Sequence, residues 1–136
     1  MPKNKTSETH PLRIDEVPVD GGTGMLGLTF CPGKVQPDAM SGPWARDLAK
    51  DLQAVRDWGA SALVNLLEEA ELQELQVPHV GEAVGKFMAY FHLPIRDKDI
   101  PGPDFERSWK TVGAELRRRL RNGEKILIHC KGGLGR

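Results

Sequence analysis

Short apolar runs that alternate with stretches of helical spacing confine this chain to an α/β layer architecture. Residues 25–31 (MLGLTFC), 62–67 (ALVNLL), 87–93 (FMAYFHL) and Lys125–His129 (KILIH) are strand-length runs rich in Leu, Ile, Val and aromatics. Between them, Trp44, Leu48, Leu52 and Val55 recur at helical spacing, with Gly59 placed to end the helix. Residues 68–75 set Leu72 and Leu75 on one side of a second helix. Residues 105–121 direct Trp109, Val112, Leu116 and Leu120 inward before Asn122-Gly123 stops the third. Upstream, Leu12, Ile14, Val17 and Val19 partly alternate with Arg13, Asp15, Glu16 and Pro18, as suits an edge strand that tolerates proline. The turn Gly21-Gly22-Thr23-Gly24 joins that strand to the next as a hairpin. Strands alternating with helices after an opening hairpin predict a largely parallel central sheet of about five strands flanked by helices.

A chain of 136 residues closes one modest core, so residues 12–136 are expected to form one domain behind a polar tail at 1–11. Nineteen Lys and Arg balance nineteen Asp and Glu, which removes a broad basic field as a basis for nucleic-acid binding. The apolar runs fall far short of the ~20 residues needed to cross a bilayer, so no membrane role is expected. Two cysteines and a polar N-terminus without a secretion signal point to a reducing cytoplasmic setting and exclude a disulfide scaffold.

The chemistry gathers at the C-terminus. The last strand runs into His129-Cys130-Lys131-Gly132-Gly133-Leu134-Gly135-Arg136, a Cys and an Arg separated by five residues. A loop this rich in glycine can turn successive amides inward as a nest for phosphate oxygens, from Lys131 through Gly135, while Arg136 clamps two of them. Cys130 at the bottom of such a bowl should ionise well below the ~8.5 of a free thiol, and a thiolate aimed at phosphorus is a nucleophile. His129, buried at the strand end, is expected to hydrogen-bond backbone in the loop and not to act as a base.

The His-Cys-x5-Arg loop resembles the signature of the cysteine-dependent protein phosphatases, and HCKGGLGR is most similar to the dual-specificity branch, the kinase-associated phosphatases in particular. The similarity extends through residues 26–34 (LGLTFCPGK), residues 46–67 and residues 93–97 (LPIRD). It implies a mainly parallel sheet flanked by helices, a phosphocysteine intermediate and hydrolysis of phosphoserine, phosphothreonine and phosphotyrosine on a phosphoprotein or phosphopeptide substrate, with no cofactor or metal. It also implies a general acid on an upstream loop, which falls on Asp97, with Asp99 as the alternate; Asp104 is expected to serve the helix that begins beside it. Members of that family continue past the arginine with a hydroxyl residue and a helix, so the domain is expected to be C-terminally incomplete at Arg136 and weak as a catalyst.

Two other functions fit parts of the pattern: a phosphoinositide phosphatase, suggested by the extra charge of Lys131 in the loop, and a phosphate-binding fragment without turnover. Cys31 is expected to be core rather than a redox partner. Lys34 is divided between greeting an anionic substrate and being an ordinary solvated lysine. The run Arg117-Arg118-Arg119 with Arg121 is expected to complement a helix C-terminus. His10, His79 and His92 share no metal-ligand spacing, and Trp44, Trp58 and Trp109 are placed on helical faces in the core.

Overall fold

The structure is a computed structural model that describes residues 5–19, 23–37, 43–95 and 103–131. The opening hairpin forms as expected. β1 (Asp15–Pro18) pairs antiparallel with β2 (Met25–Thr29), Asp15 opposite Leu28 and Pro18 opposite Met25. Pro18 has no N–H to give a ladder, and β1 is an edge strand, where that costs nothing. A two-residue pair follows, β3 (Val35–Gln36) against β4 (Trp44–Ala45). Trp44 therefore begins a strand residue, and the helix that its spacing suggested starts later, at α1 (Leu48–Trp58). Asp47 caps α1 by accepting from the Lys50 amide at 3.0 Å. Gly59 ends it at φ +100°, a conformation that glycine adopts without Cβ strain.

Then come β5 (Ala60–Asn65), α2 (Glu69–Glu74), α3 (Val80–Gly85), β6 (Ala89–His92), α4 (Pro103–Arg121) and β7 (Lys125–His129). The five-stranded sheet has the order β1-β2-β7-β5-β6, and β2, β7, β5 and β6 all run parallel. β7, last in sequence, lies in the middle. Its hydrogen bonds are satisfied by β2 on one side and β5 on the other.

The two-residue period of the strands divides the core. Leu63 and Leu127 face one side, where they join Leu52 and Val55 of α1, Leu72 of α2, and Val80 and Val84 of α3. Ala62, Val64 and Ile126 face the other, with Leu66, Leu93, Ile95 and Leu116 of α4. The second face is thinly covered. An apolar cavity of about 610 Å³ lies there between the sheet and α4, bounded by Leu26, Leu28, Val64, Phe105, Trp109 and Ile128. Trp109, expected in the core, is instead 39% exposed and stacked on Phe105 with ring centroids 5.9 Å apart.

Residues 5–10 belong to the stretch read as a tail, and they lie against the body. The Lys5 amide donates to the Pro43 carbonyl at 2.8 Å, and the Ala45 amide donates to the Lys5 carbonyl at 3.0 Å. Glu8 pairs with Lys50, and the His10 ring meets Trp44 edge to face. The arginine run closes α4 as expected: Glu115 holds Arg118 at 2.6 Å and Arg119 at 3.0 Å, while Arg119 also reaches Glu124. Asp104 lies in the first turn of α4, paired with Arg107.

Candidate active site

In a parallel sheet all carboxyl ends lie on one edge, which is where open α/β folds take their ligands. Here that edge carries Thr29 to Cys31 after β2, Asn65 to Leu67 after β5, and His129 and Cys130 after β7. Cys130 is 7% exposed, delivered by the central strand. The neighbouring strand end is tied to it: the Leu66 amide donates to the His129 carbonyl at 3.1 Å. Asn65 is fully buried, accepts from the Leu67 amide at 2.9 Å and donates to the Tyr90 hydroxyl at 2.9 Å. The β5 end is thus tied by hydrogen bonds to β7 and β6.

His129 is 1% exposed, with Nδ1 at 3.5 Å from the Cys130 carbonyl oxygen. Burial lowers its pKa to about 4, and the imidazole is neutral at physiological pH. Among the described residues its Nε2 has no hydrogen-bond partner. A buried, uncharged ring is suited to orienting backbone and unsuited to proton transfer in solution.

Cys31 behaves as core. It is fully buried, its Sγ donates to the Pro32 carbonyl at 3.6 Å, and burial pushes its thiol up to about 12. The structure overturns one of the two expectations for Lys34, that of an ordinary solvated lysine. Far from being solvated, it is 4% exposed, with its ammonium donating to the Lys131 carbonyl at 3.2 Å and lying 4.4 Å from the centre of the Trp44 ring. Burial is the main cause that lowers its pKa to about 8.

Beneath this corner is a buried ion pair. Arg46 meets Asp51 in a two-pronged contact, Nε to Oδ2 at 2.8 Å and Nη2 to Oδ1 at 3.0 Å, with both side chains essentially sealed from solvent. Asp51 also accepts from the Gly33 amide at 2.8 Å. Gly33 has φ +72°, and a Cβ there would stand 2.7 Å from Leu48 Cβ, so the turn after β2 fits against α1 only with glycine. Sequence reasoning missed this cluster. The Pro32-Gly33-Lys34 turn after an apolar strand was its only sequence sign.

The structure therefore gathers Cys130, Lys131, His129 and Lys34 at one sheet edge. Asp97 and Asp99, and Gly132, Gly133, Leu134, Gly135 and Arg136 of the expected phosphate loop, lie outside the described residues. Among the described residues no three His, Cys, Asp or Glu side chains cluster as a metal site, and no helix is long and apolar enough to cross a membrane.

Comparison with known proteins places these features in a family. Residues 39–136 match the polymorphic toxin system DSP-PTPase phosphatases. Cyclin-dependent kinase inhibitor 3 of Mus musculus is 30% identical over 132 residues, which cover 95% of this chain and 59% of that protein. The Homo sapiens protein of the same name is 26% identical over 141 residues, 96% of this chain and 63% of its own length. The chain thus spans less than two-thirds of these relatives. Among solved structures, a kinase-associated phosphatase whose catalytic-site cysteine is replaced by serine superposes with TM-score 0.80 at 27% identity, over 93% of this chain and 68% of that one. Tk-PTP in its active form gives TM-score 0.57 at 26% identity, over 82% of this chain and 60% of that one.

Proposed function

The chain belongs to the DSP-PTPase phosphatase family of polymorphic toxin systems, and from that premise we propose that it hydrolyses phosphomonoesters on protein serine, threonine and tyrosine with Cys130 as nucleophile. In the first step the Cys130 thiolate attacks phosphorus, an S–P bond forms, and the bond from phosphorus to the substrate oxygen breaks. Asp97 gives its proton to that departing oxygen. In the second step Asp97 takes a proton from water, whose oxygen attacks the phosphocysteine. The S–P bond breaks, releasing inorganic phosphate and restoring the thiolate. Loop amides from Lys131 to Gly135 and the Arg136 guanidinium bind the three phosphate oxygens and stabilise the charge that builds on them. His129 orients the backbone at the start of the loop.

The observation that carries this reading is the delivery of Cys130 by the central strand to the carboxyl edge of a parallel sheet, followed at once by the Gly-rich sequence. The kinship with a kinase-associated phosphatase supports a phosphoprotein substrate. We assign the reaction to the cytoplasm, in keeping with a free nucleophilic thiol. A panel of phosphothreonine, phosphoserine and phosphotyrosine peptides, run beside phosphoinositide vesicles, tests the assignment. Turnover of the peptides that is lost in Cys130→Ser supports it. Turnover confined to the vesicles, or retained by Cys130→Ser, overturns it.

A further inference from the structure

We infer that Lys34 is a positioning residue for the nucleophile: its buried ammonium anchors the carbonyl of Lys131, the residue after Cys130, and places net positive charge beside the thiolate. The inference rests on the phosphatase reading of Cys130.

A lysine ammonium withdrawn from water is costly unless something compensates it, so a Lys that is 4% exposed calls for a reason. Its placement is enforced. The Lys34 amide closes on the Cys31 carbonyl at 3.4 Å, and the turn between them is held by Gly33 against Leu48 and by the Gly33 amide on Asp51. From there Nζ reaches the Lys131 carbonyl at 3.2 Å, and the Cys31 amide reaches the same oxygen at 3.4 Å. A carbonyl committed to two donors cannot swing its negative end toward a bound anion. This carbonyl belongs to the residue next after the nucleophile, at the start of the Gly-rich loop, where such a swing would harm phosphate binding.

Among the described residues, the electrostatic neighbours of Lys34 include Cys31, Arg46, Cys130 and Lys131. Cys31 is neutral at physiological pH, because burial drives its thiol to about 12. Arg46 is a cation whose two-pronged contact engages both oxygens of Asp51. The buried charges of this corner, among the described residues, are thus two cations and one carboxylate. Among these described residues, the neighbour able to supply a balancing negative charge is Cys130 as a thiolate. Phe30 and Trp44, with ring centres 4.8 Å and 4.4 Å from the ammonium, support the cation through their faces without neutralising it.

The test reads the ionisation of Cys130 directly, as the pH dependence of its alkylation by iodoacetamide, followed by mass spectrometry of the Cys130 peptide. Wild type is compared with Lys34→Met, Lys34→Gln and Lys34→Arg, each checked for fold by circular dichroism. Removing the charge in Lys34→Met or Lys34→Gln should raise the alkylation midpoint by about one pH unit, the lower end of what an adjacent opposite charge contributes. Lys34→Arg, which keeps charge and donors, should restore it. Should Lys34→Met lose its fold, Lys34→Gln carries the comparison, since it keeps a donor for the carbonyl. A folded Met or Gln variant whose curve superimposes on wild type overturns the inference alone. A wild-type midpoint at the free-thiol value of ~8.5 overturns the phosphatase reading and the inference with it.

Discussion

At the scale of single residues, the roles divide by what each environment does to a proton. Cys31 and His129 are both buried, and burial keeps both uncharged, the thiol by raising its pKa to about 12 and the imidazole by lowering its to about 4. For His129 the consequence is a pH-dependent stability. In the unfolded chain it takes up a proton near 6.5, whereas the folded protein resists until about 4, so the unfolded state gains protons as pH falls through that window. Folding should lose about 3 kcal/mol from this group between those limits. Urea denaturation of wild type and His129→Asn as a function of pH should show a shallower acid slope in the variant; equal slopes would place the acid sensitivity elsewhere. Asp97 carries a different expectation. If it protonates the leaving group, Asp97→Asn should lower phosphothreonine turnover by ~10²- to 10⁴-fold, and Asp99→Asn should leave it near wild type. The reverse pattern moves the acid to Asp99.

At the scale of elements, the strands and long helices were legible because their patterns are local. The hairpin of β1 and β2, the apolar runs of β5 and β7, and α4 with its Asn122-Gly123 stop are visible as periodicity and punctuation. α3 was not, because its six residues, VGEAVG, carry two glycines and fold as a helix through the burial of Val80 and Val84. Trp44 was assigned to a helix on spacing alone, yet β3 and β4 pair ahead of the Asp47 cap and remove it from α1. Trp109 shows the converse: helical phase is readable, but how much of a helix face finds a partner depends on what packs there, and the sheet covers Leu116 without covering Trp109. The Arg46–Asp51 pair was invisible for a related reason, since nothing local in the sequence marks either charge as one the fold closes over. Asp51→Ala should cost ~3–5 kcal/mol, because it leaves a guanidinium buried beside the β2 turn. Replacing both partners by apolar residues, Arg46→Met with Asp51→Leu, should recover most of that loss in thermal or urea unfolding. A double variant no more stable than Asp51→Ala would contradict the desolvation argument.

At the scale of the whole molecule, the fold works as a bracket for one strand end. β7 lies between β2 and β5 and is hydrogen-bonded on both sides, α1 to α3 pack one face, and α4 packs the other. Among the described residues, those around the start of the Cys130 loop are buried or tied by hydrogen bonds: the sealed Asn65, the neutral His129 and the Gly33 turn pinned to α1. The proposed nucleophile stands out in the sequence because its motif is contiguous. The lysine beneath it does not, since Lys34 and Lys131 are 97 residues apart and only the pairing of β2 with β7 brings them together. The central claim is that phosphate passes through the sulfur of Cys130. The most direct measurement is a rapid acid quench of the protein during turnover of a phosphothreonine peptide or para-nitrophenyl phosphate, followed by mass spectrometry of the Cys130 peptide. A phosphoryl group on Cys130, absent from Cys130→Ser and accumulating further in Asp97→Asn with para-nitrophenyl phosphate, whose leaving group needs no acid, is the result expected. Turnover with Cys130 unmodified at every quench time, or a phosphoryl group on another residue, would contradict it.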